Sequence, residues 1–413
     1  MKGRIGGTAD RLAEFMWKMW SIPSPSLGYK MLSVVMGEAK RMYRRKLSML
    51  PPDCMEYSQL LENQYMKEKH WIYAILMAAA ESLPLLYREC TREEILRSIL
   101  AKTSLGASSK LLDNLNDEIH TSEEALASLE NYLSALRSGE FEKKCNTPVE
   151  RAESSACEMA SWIYFSLADY VPAFSLYIED CTKLVEGQIR SLEHKKKGWP
   201  SLSAYVKSIA EKSIGDVWID IDLCQFDVLD GSLMKLKKAN EYIFKSSLVY
   251  DDVQDVFEDI RTHSVNSAVI LGIEGNIISP ENLQEMDPLK LVSLLGESGI
   301  LRETVYLADA LFLKGVDILM QVENPCIDMK GLLKSFKLVR LFNLRKLLIM
   351  NRDFWTLKQF LASFSDFEYL RDQIPIRFTM STDEFLSRQN GHDQEGYKCD
   401  LRRQIRTQSC SFQ

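Results

Sequence analysis

Residues 251–259, Asp-Asp-Val-Gln-Asp-Val-Phe-Glu-Asp, constrain the fold of this chain more than any other stretch. Aspartates recur at 251, 255 and 259. On an α-helix, each step of four residues drifts by only about 40° around the axis, so these carboxylates form one ridge. Val253, Val256 and Phe257 are interleaved with them, which gives the same helix an apolar face to bury. A packed helix that gathers three carboxylates must offset their repulsion, and divalent cations do this most directly. A second ladder, Asp113 and Asp117, lies in Ser109–Glu118 at the same i, i+4 spacing. Two such helices facing each other across a cavity would present hard oxygen ligands to Mg²⁺. That ion keeps much of its water, takes a carboxylate or two and completes its shell with substrate phosphate oxygens. The pattern therefore points to a diphosphate substrate.

The rest of the chain predicts helices throughout. Glycine and proline are sparse, at 19 and 12 of 413 residues, and 46% of the residues are hydrophobic, enough for a large core. Helical patterns run over 54–88, 93–119, 122–138, 150–188, 201–228, 231–262, 289–322 and 329–350. Breaks are expected at Pro51-Pro52, Gly139, Lys195 to Pro200, Gly272 to Pro280 and Asn324-Pro325. The expectation is an all-α protein: a single catalytic domain over 1–380 and a polar, mobile tail over 381–413.

Composition narrows the function classes. A net charge of −7 argues against nucleic acid as a partner. Nine cysteines without Cys-x-x-Cys spacing read as reduced thiols, and the first residues lack a signal-peptide core, so a cytoplasmic location is expected. The most apolar stretch, Trp71 to Tyr87, is interrupted by Glu81 and Pro84 and is too short for a membrane span. Lys40 to Lys46 and Lys334 to Lys346 read as exposed basic helix faces, compatible with peripheral contact to an anionic membrane surface. The five histidines form no zinc spacing, and no P-loop, dinucleotide fingerprint or Ser-His-Asp set is present.

On the two acidic ladders the chain resembles the class I isoprenoid synthase superfamily, which includes terpene cyclases, trans-prenyltransferases and squalene or phytoene synthases. Asp113 to Asp117 is similar to its D-x-x-x-D first motif. Asp251, Asp252, Asp255 and Asp259 are similar to its second, (N/D)-D-x-x-(S/T/D)-x-x-x-(E/D), with Asp in place of the usual final Glu. Glu211 to Asp216 resembles the segment that carries a diphosphate-holding lysine, here Lys212, and Gly215-Asp216 suits the broken helix near the active site of terpene cyclases. Arg261 and Asn266-Ser267 stand where basic and polar positions often follow the second motif. The Arg-Arg and Gly-Gly-Lys elements of chain-elongating enzymes are missing, as is the Gly-Arg-x-Tyr-x-Pro of squalene and phytoene synthases, so a cyclase meets the fewest contradictions.

The resemblance implies a helical bundle around a deep apolar pocket. It also implies Mg²⁺ (three ions, with Mn²⁺ as an alternative) held by Asp113, Asp117, Asp251, Asp255 and Asp259, and these five are the expected catalytic residues. Lys212 and Arg261, with Arg190 as a helper, would hold the diphosphate of a prenyl diphosphate substrate. Trp162, Phe165, Tyr170 and Phe174 would wall a carbocation. A homodimer is compatible with the family. Three other functions fit the same residues: a squalene- or phytoene-synthase-like prenyl-coupling transferase, an all-α Mg²⁺ nucleotide pyrophosphohydrolase, and a non-enzymatic helical scaffold.

Overall fold

Residues 24–351 and 367–379 are described in the computed structural model, apart from residues 168 and 170 and the side chains of 117, 118, 194–197 and 345–351. The expected tail over 381–413, Tyr170 and the Asp117 side chain thus lie outside the described residues. Those that are described form helices and connecting turns, with no strand. In chain order the main helices are α1 (Tyr29–Leu47), α2 (Tyr57–Glu62), α3 (Glu68–Leu86), α4 (Arg92–Glu118), α5 (Ser122–Ser138), α6 (Pro148–Tyr164) and α7 (Pro172–Lys197). They continue as α8 (Gly215–Leu223), α9 (Gly231–Thr262), α10 (Ser267–Glu274), α11 (Pro288–Glu297), α12 (Ile300–Leu319), α13 (Met329–Asn351) and α14 (Phe367–Gln373).

Local chemistry explains where these helices begin. Thr91, Thr121 and Thr147 each cap a helix, and the Glu three residues later (Glu94, Glu124, Glu150) reaches back to the cap backbone, a reciprocal box that satisfies two otherwise orphaned N–H groups. Asp230 caps α9 by accepting from the Leu233 N–H, and His263 ends that helix in a left-handed conformation (φ 53°). With neither proline nor an internal glycine between those caps, α9 runs unbroken through the acidic ladder.

Four expected helices are interrupted, and the 201–228 pattern breaks between Ala204 and Gly215. The 54–88 pattern splits at residues 63–67, where Gln64 takes a positive φ of 61°. The 150–188 pattern splits before Pro172, since the residue preceding proline avoids helical backbone. The 289–322 pattern splits at Gly299, whose φ of 86° only glycine adopts without strain.

Two packed layers meet around α8. On one side α3, α4, α5 and α6 pack together; on the other the long α9 lies along α12, with α13 packed on both α3 and α9. Helix α8 touches α4, α7 and α9, and so links the helices that carry the two acidic ladders. A buried polar cluster fastens it there. Lys102 of α4 reaches Asp222 of α8 at 2.5 Å and Glu81 of α3 at 3.2 Å, and Trp218 of α8 also donates to Glu81.

The basic surface expected over Lys334 to Lys346 is corrected up to Arg340, while the side chains of Arg345 and Lys346 lie outside the described residues. Lys334, Lys337 and Arg340 are buried, because α13 is a core helix, and Arg340 donates to Asp309 at 2.8 Å and to the Tyr250 hydroxyl at 3.1 Å. Around Lys40 to Lys46 the arginines Arg41, Arg44 and Arg45 are exposed as expected, but Lys46 lies over the Trp162 ring, 4.5 Å from its centroid. Among the described residues, no helix is long and apolar enough to cross a membrane. The seven described cysteines are unpaired.

Candidate active site

A cavity of about 380 Å³ opens between α4, α5, α7 and α9. Helix α4 supplies Gly106, Ser109, Lys110, Leu112, Asp113 and Asn116; α5 supplies Leu129 and Tyr132; α7 supplies Leu184, Val185, Gln188, Ser191 and Leu192. Opposite stand Leu248, Asp251, Asp252, Asp255 and Asp259 of α9, with Ser264 and Val265 beyond its end. Lys212 and Ile214 close the gap between the walls. Asp113 of the first ladder and the three aspartates of the second, distant in sequence, thus line one space. Helix α4 continues through Asp117.

The acidic ridge on α9 has the predicted sidedness. Asp251 is exposed, Asp255 and Asp259 are half-buried, and Val253 and Val256 are buried in the core. Asp252 also reaches the cavity but is tied to its neighbours: one of its carboxylate oxygens accepts from the Tyr205 hydroxyl at 2.7 Å, the Ser267 N–H at 2.9 Å and the Ser267 hydroxyl at 2.5 Å. Asn266 caps α10 with its side-chain oxygen, while its amide N–H₂ donates to the Asp252 carbonyl and the Asp259 carboxylate, both at 2.7 Å. These bonds pin the end of α9 to α10 and to the chain segment around Tyr205.

That segment is the predicted helix break. After Leu202–Ala204 the chain widens into a π turn at Tyr205–Ile209, tightens into a 3₁₀ turn at Ala210–Lys212, becomes extended at Ser213 and re-enters helix at Gly215. Changes of helical pitch of this kind re-aim side chains. Two glycines admit the break. A Cβ on Gly187 would fall less than 3.0 Å from the Lys212 backbone nitrogen, and one on Gly215 less than 3.0 Å from the Phe244 side chain. Lys212 is carried into the cavity, where its charge acts on Asp113, Asp252 and Asp259 together. Asp216, the second residue of α8, is not among the cavity-lining residues; burial and then Glu241 push its carboxyl up to about 7.

Positive charge is scarce within the cavity. Burial pushes Asp252 up to about 6; burial reinforced by Asp252 pushes Asp259 up to about 8. Burial also opposes ionisation of Asp113, but Lys110, bonded to it at 2.5 Å, holds its carboxyl below the usual range. Such a donor set, carboxylates on both walls with too little cationic charge between them, suits a hard divalent cation. Among the described residues no three His, Cys, Asp or Glu side chains form a ready-made metal site. An ion here would draw one or two ligands from each wall and the remainder from water and substrate.

Several expected residues lie outside the cavity lining. Arg190 bonds Glu186 at 2.9 Å and the Ser208 carbonyl at 3.4 Å, and Arg261 bonds Glu258 one turn away on α9; neither lines the cavity. Trp162 packs edge-on to Tyr43, Phe165 is 70% exposed and Phe174 stacks on Tyr177, so none of these rings forms the wall either. Among the described residues the aromatic that lines the cavity is Tyr132, whose hydroxyl pairs with Ser108 at 2.8 Å and Ser109 at 3.0 Å. Lys110, Asn116, Tyr132 and Gln188 were missed at the sequence level. Lys110 and Asn116 stand three residues from Asp113 on the same helix, the one signal that could have found them.

No protein-family model and no curated protein matches the sequence. Solved structures that are similar to the chain include linalool/nerolidol synthase from Streptomyces clavuligerus in complex with 2-fluorogeranyl diphosphate, at 11% identity and a TM-score of 0.45, over 75% of this chain and 97% of that one. Another is 2-methylisoborneol synthase from Streptomyces coelicolor A3(2) in complex with Mg²⁺ and 2-fluoroneryl diphosphate, at 12% identity and a TM-score of 0.46, over 81% and 96%. A third is geranylgeranyl pyrophosphate synthetase from the archaeon Geoglobus acetivorans, at 14% identity and a TM-score of 0.43, over 75% and 98%.

Proposed function

We propose that this protein is a class I terpene synthase, which ionises a linear prenyl diphosphate with Mg²⁺ and cyclises the resulting carbocation. One observation carries the proposal: Asp113 on α4 and Asp251, Asp255 and Asp259 on α9 line a single cavity, with Lys212 held between them by a broken helix. Asp117, one turn beyond Asp113 on α4, completes the first ladder. Bound between the walls, Mg²⁺ would neutralise the charge that develops on the departing diphosphate.

The chain's own residues do the rest. Lys212 and Lys110 donate to the diphosphate, and the carboxylates orient it against the two walls. Tyr205, Ser267 and Asn266 hold the α9 ridge in place through Asp252 and Asp259. Leu129, Leu184, Val185, Leu248 and Val265 exclude water from the prenyl chain, and Tyr132 supplies an aromatic ring to the wall beside the cation. A volume of about 380 Å³ falls in the lower part of the range for small-molecule pockets.

Prenyl coupling of the squalene-synthase type is the second reading, and Tyr132 favours it. Among the described lining residues Tyr132 is the one aromatic ring; such a wall stabilises a long-lived cyclic cation poorly, whereas coupling traps the cation on a second substrate.

Diphosphate release with Mg²⁺ and a panel of C10 to C25 prenyl diphosphates tests the proposal, with products identified by mass spectrometry. A cyclic hydrocarbon or alcohol from a single substrate establishes the cyclase. Release only when two prenyl diphosphates are supplied together establishes coupling, and no release under either condition overturns both.

A further inference from the structure

Helix α9 grips the helix break on both sides of Lys212, with side chains that the proposed chemistry does not use. Ahead of Lys212, the Glu211 carboxylate accepts from the Lys245 ammonium of α9 at 2.8 Å. Behind it, the Gly215 carbonyl accepts from the Asn240 amide of α9 at 2.6 Å. Asn240 is fully buried and Lys245 is 1% exposed. Lys245 also bonds Glu241, one turn back on its own helix, at 2.9 Å. Burial by itself would lower the Lys245 pKa, but Glu241 and Glu211 together raise it, so its bond to the break is an ion pair.

The position of this grip along α9 gives it a consequence. Glu241, Lys245, Leu248, Asp252, Asp255 and Asp259 follow one another at steps of four or three, so they form one stripe along the helix. Lys245 reaches the break, while Leu248 and the aspartates line the cavity. One helix therefore carries both the acidic ridge and the hold on the segment that delivers Lys212. Glu211, drawn to α9, stays out of the cavity lining, and its neighbour Lys212 enters it.

We infer that Lys245 is a positioning residue: by holding Glu211 against α9, it fixes the 3₁₀ turn from which Lys212 reaches the diphosphate. The inference rests on the prenyl diphosphate reading of the site. A 3₁₀ turn of three residues between a π turn and an extended residue has few backbone bonds of its own to fix its direction. The ion pair to a buried side chain of the neighbouring helix supplies that direction, and with the pair cut Lys212 loses its fixed approach to the cavity.

Titration calorimetry with inorganic pyrophosphate and Mg²⁺ tests this on the full chain, comparing wild type, Lys212→Ala, Lys245→Met and the double variant. Loss of one charged donor should weaken pyrophosphate binding about ten- to a hundredfold in Lys212→Ala. Lys245→Met should weaken it by a smaller factor, at least about threefold, and should add nothing in the Lys212→Ala background, because its effect runs through that lysine. A purely structural role would give the same loss in both backgrounds. Hydrogen exchange at residues 205–215, with α12 as the reference, reads the break without ligand and should quicken in Lys245→Met. Should that variant fail to fold, Glu211→Ala cuts the same tie from the side of the break, leaves Lys245 paired with Glu241, and carries the same expectations. Wild-type affinity in the variant, an effect undiminished without Lys212, or unchanged exchange at the break each overturns the inference. If wild type itself binds no pyrophosphate with Mg²⁺, the reading of the cavity falls instead, and exchange at the break alone decides whether Lys245 holds it.

Discussion

Gly187 of α7 and Lys212 of the helix break touch backbone to backbone, and no Cβ fits between them. This contact sets how deeply the break can sink towards the cavity, and therefore where the Lys212 ammonium stands relative to Asp113 and Asp259. Replacing Gly187 with alanine should displace the break, destabilise the protein by about 1–3 kcal/mol through overpacking, and depress diphosphate release more than the stability loss explains. Gly296→Ala is the control: it sits exposed in α11 with only an ordinary contact to Leu301, and should be neutral or slightly stabilising by thermal denaturation.

The carboxylates on the two walls should matter individually. Asp113→Ala and Asp255→Ala are each expected to lower turnover at least ~100-fold, the scale seen when one electrostatic contributor to a transition state is removed. Mg²⁺ should raise the thermal midpoint of the wild type, since an ion that binds only the folded state stabilises it by mass action, and chelation should reverse the shift. Turnover unchanged in both variants would remove the metal assignment.

Lys102 supports the cavity from behind. It is fully buried between Glu81 and Asp222, and Ser82 and Ser98 also donate to Asp222. Burial, before any other influence, raises the Glu81 carboxyl. Lys102→Met would strand two buried carboxyl groups and loosen α8 from α4. A loss of about 3–5 kcal/mol in urea unfolding is expected, the usual cost of breaking a buried ion pair from one side.

His70 gives the protein an acid-sensitive element. Burial first, then Lys110, Lys69 and Lys67, lower its pKa from 6.5 to about 4. The unfolded chain therefore takes up this proton before the folded one does. Above pH 6.5 neither state is protonated and the residue has no effect; as pH falls from 6.5 towards 4, stability is lost. His70→Gln should flatten the unfolding midpoint across that window, as read by thermal melts at a series of pH values. An unchanged slope would refute the assignment.

What the sequence determined by itself was local. The spacing of Asp251, Asp255 and Asp259 needs only helix geometry, and the structure keeps both the ridge and the buried Val253 and Val256 beneath it. The all-α character and the unbroken α9 follow from capping residues, helix breakers and periodicity, all of which act over a few residues, whereas the break before Gly215 interrupts a continuous helical pattern and was suggested only by the resemblance. Direction in space was not local. Arg190 and Arg261 satisfy themselves with glutamates one turn away, whereas Asn116 and Tyr132, which carry no motif, stand in the cavity wall. Trp162 and Phe174 pack against neighbouring rings and Phe165 faces solvent, so these three rings stand away from the cavity. Lys334, Lys337 and Arg340 look like a solvated face in one dimension but are covered once α13 docks on α3 and α9. Which side of a helix meets a cavity depends on helices distant in sequence, and on close contacts such as Gly187 against Lys212, so only the tertiary structure decided it.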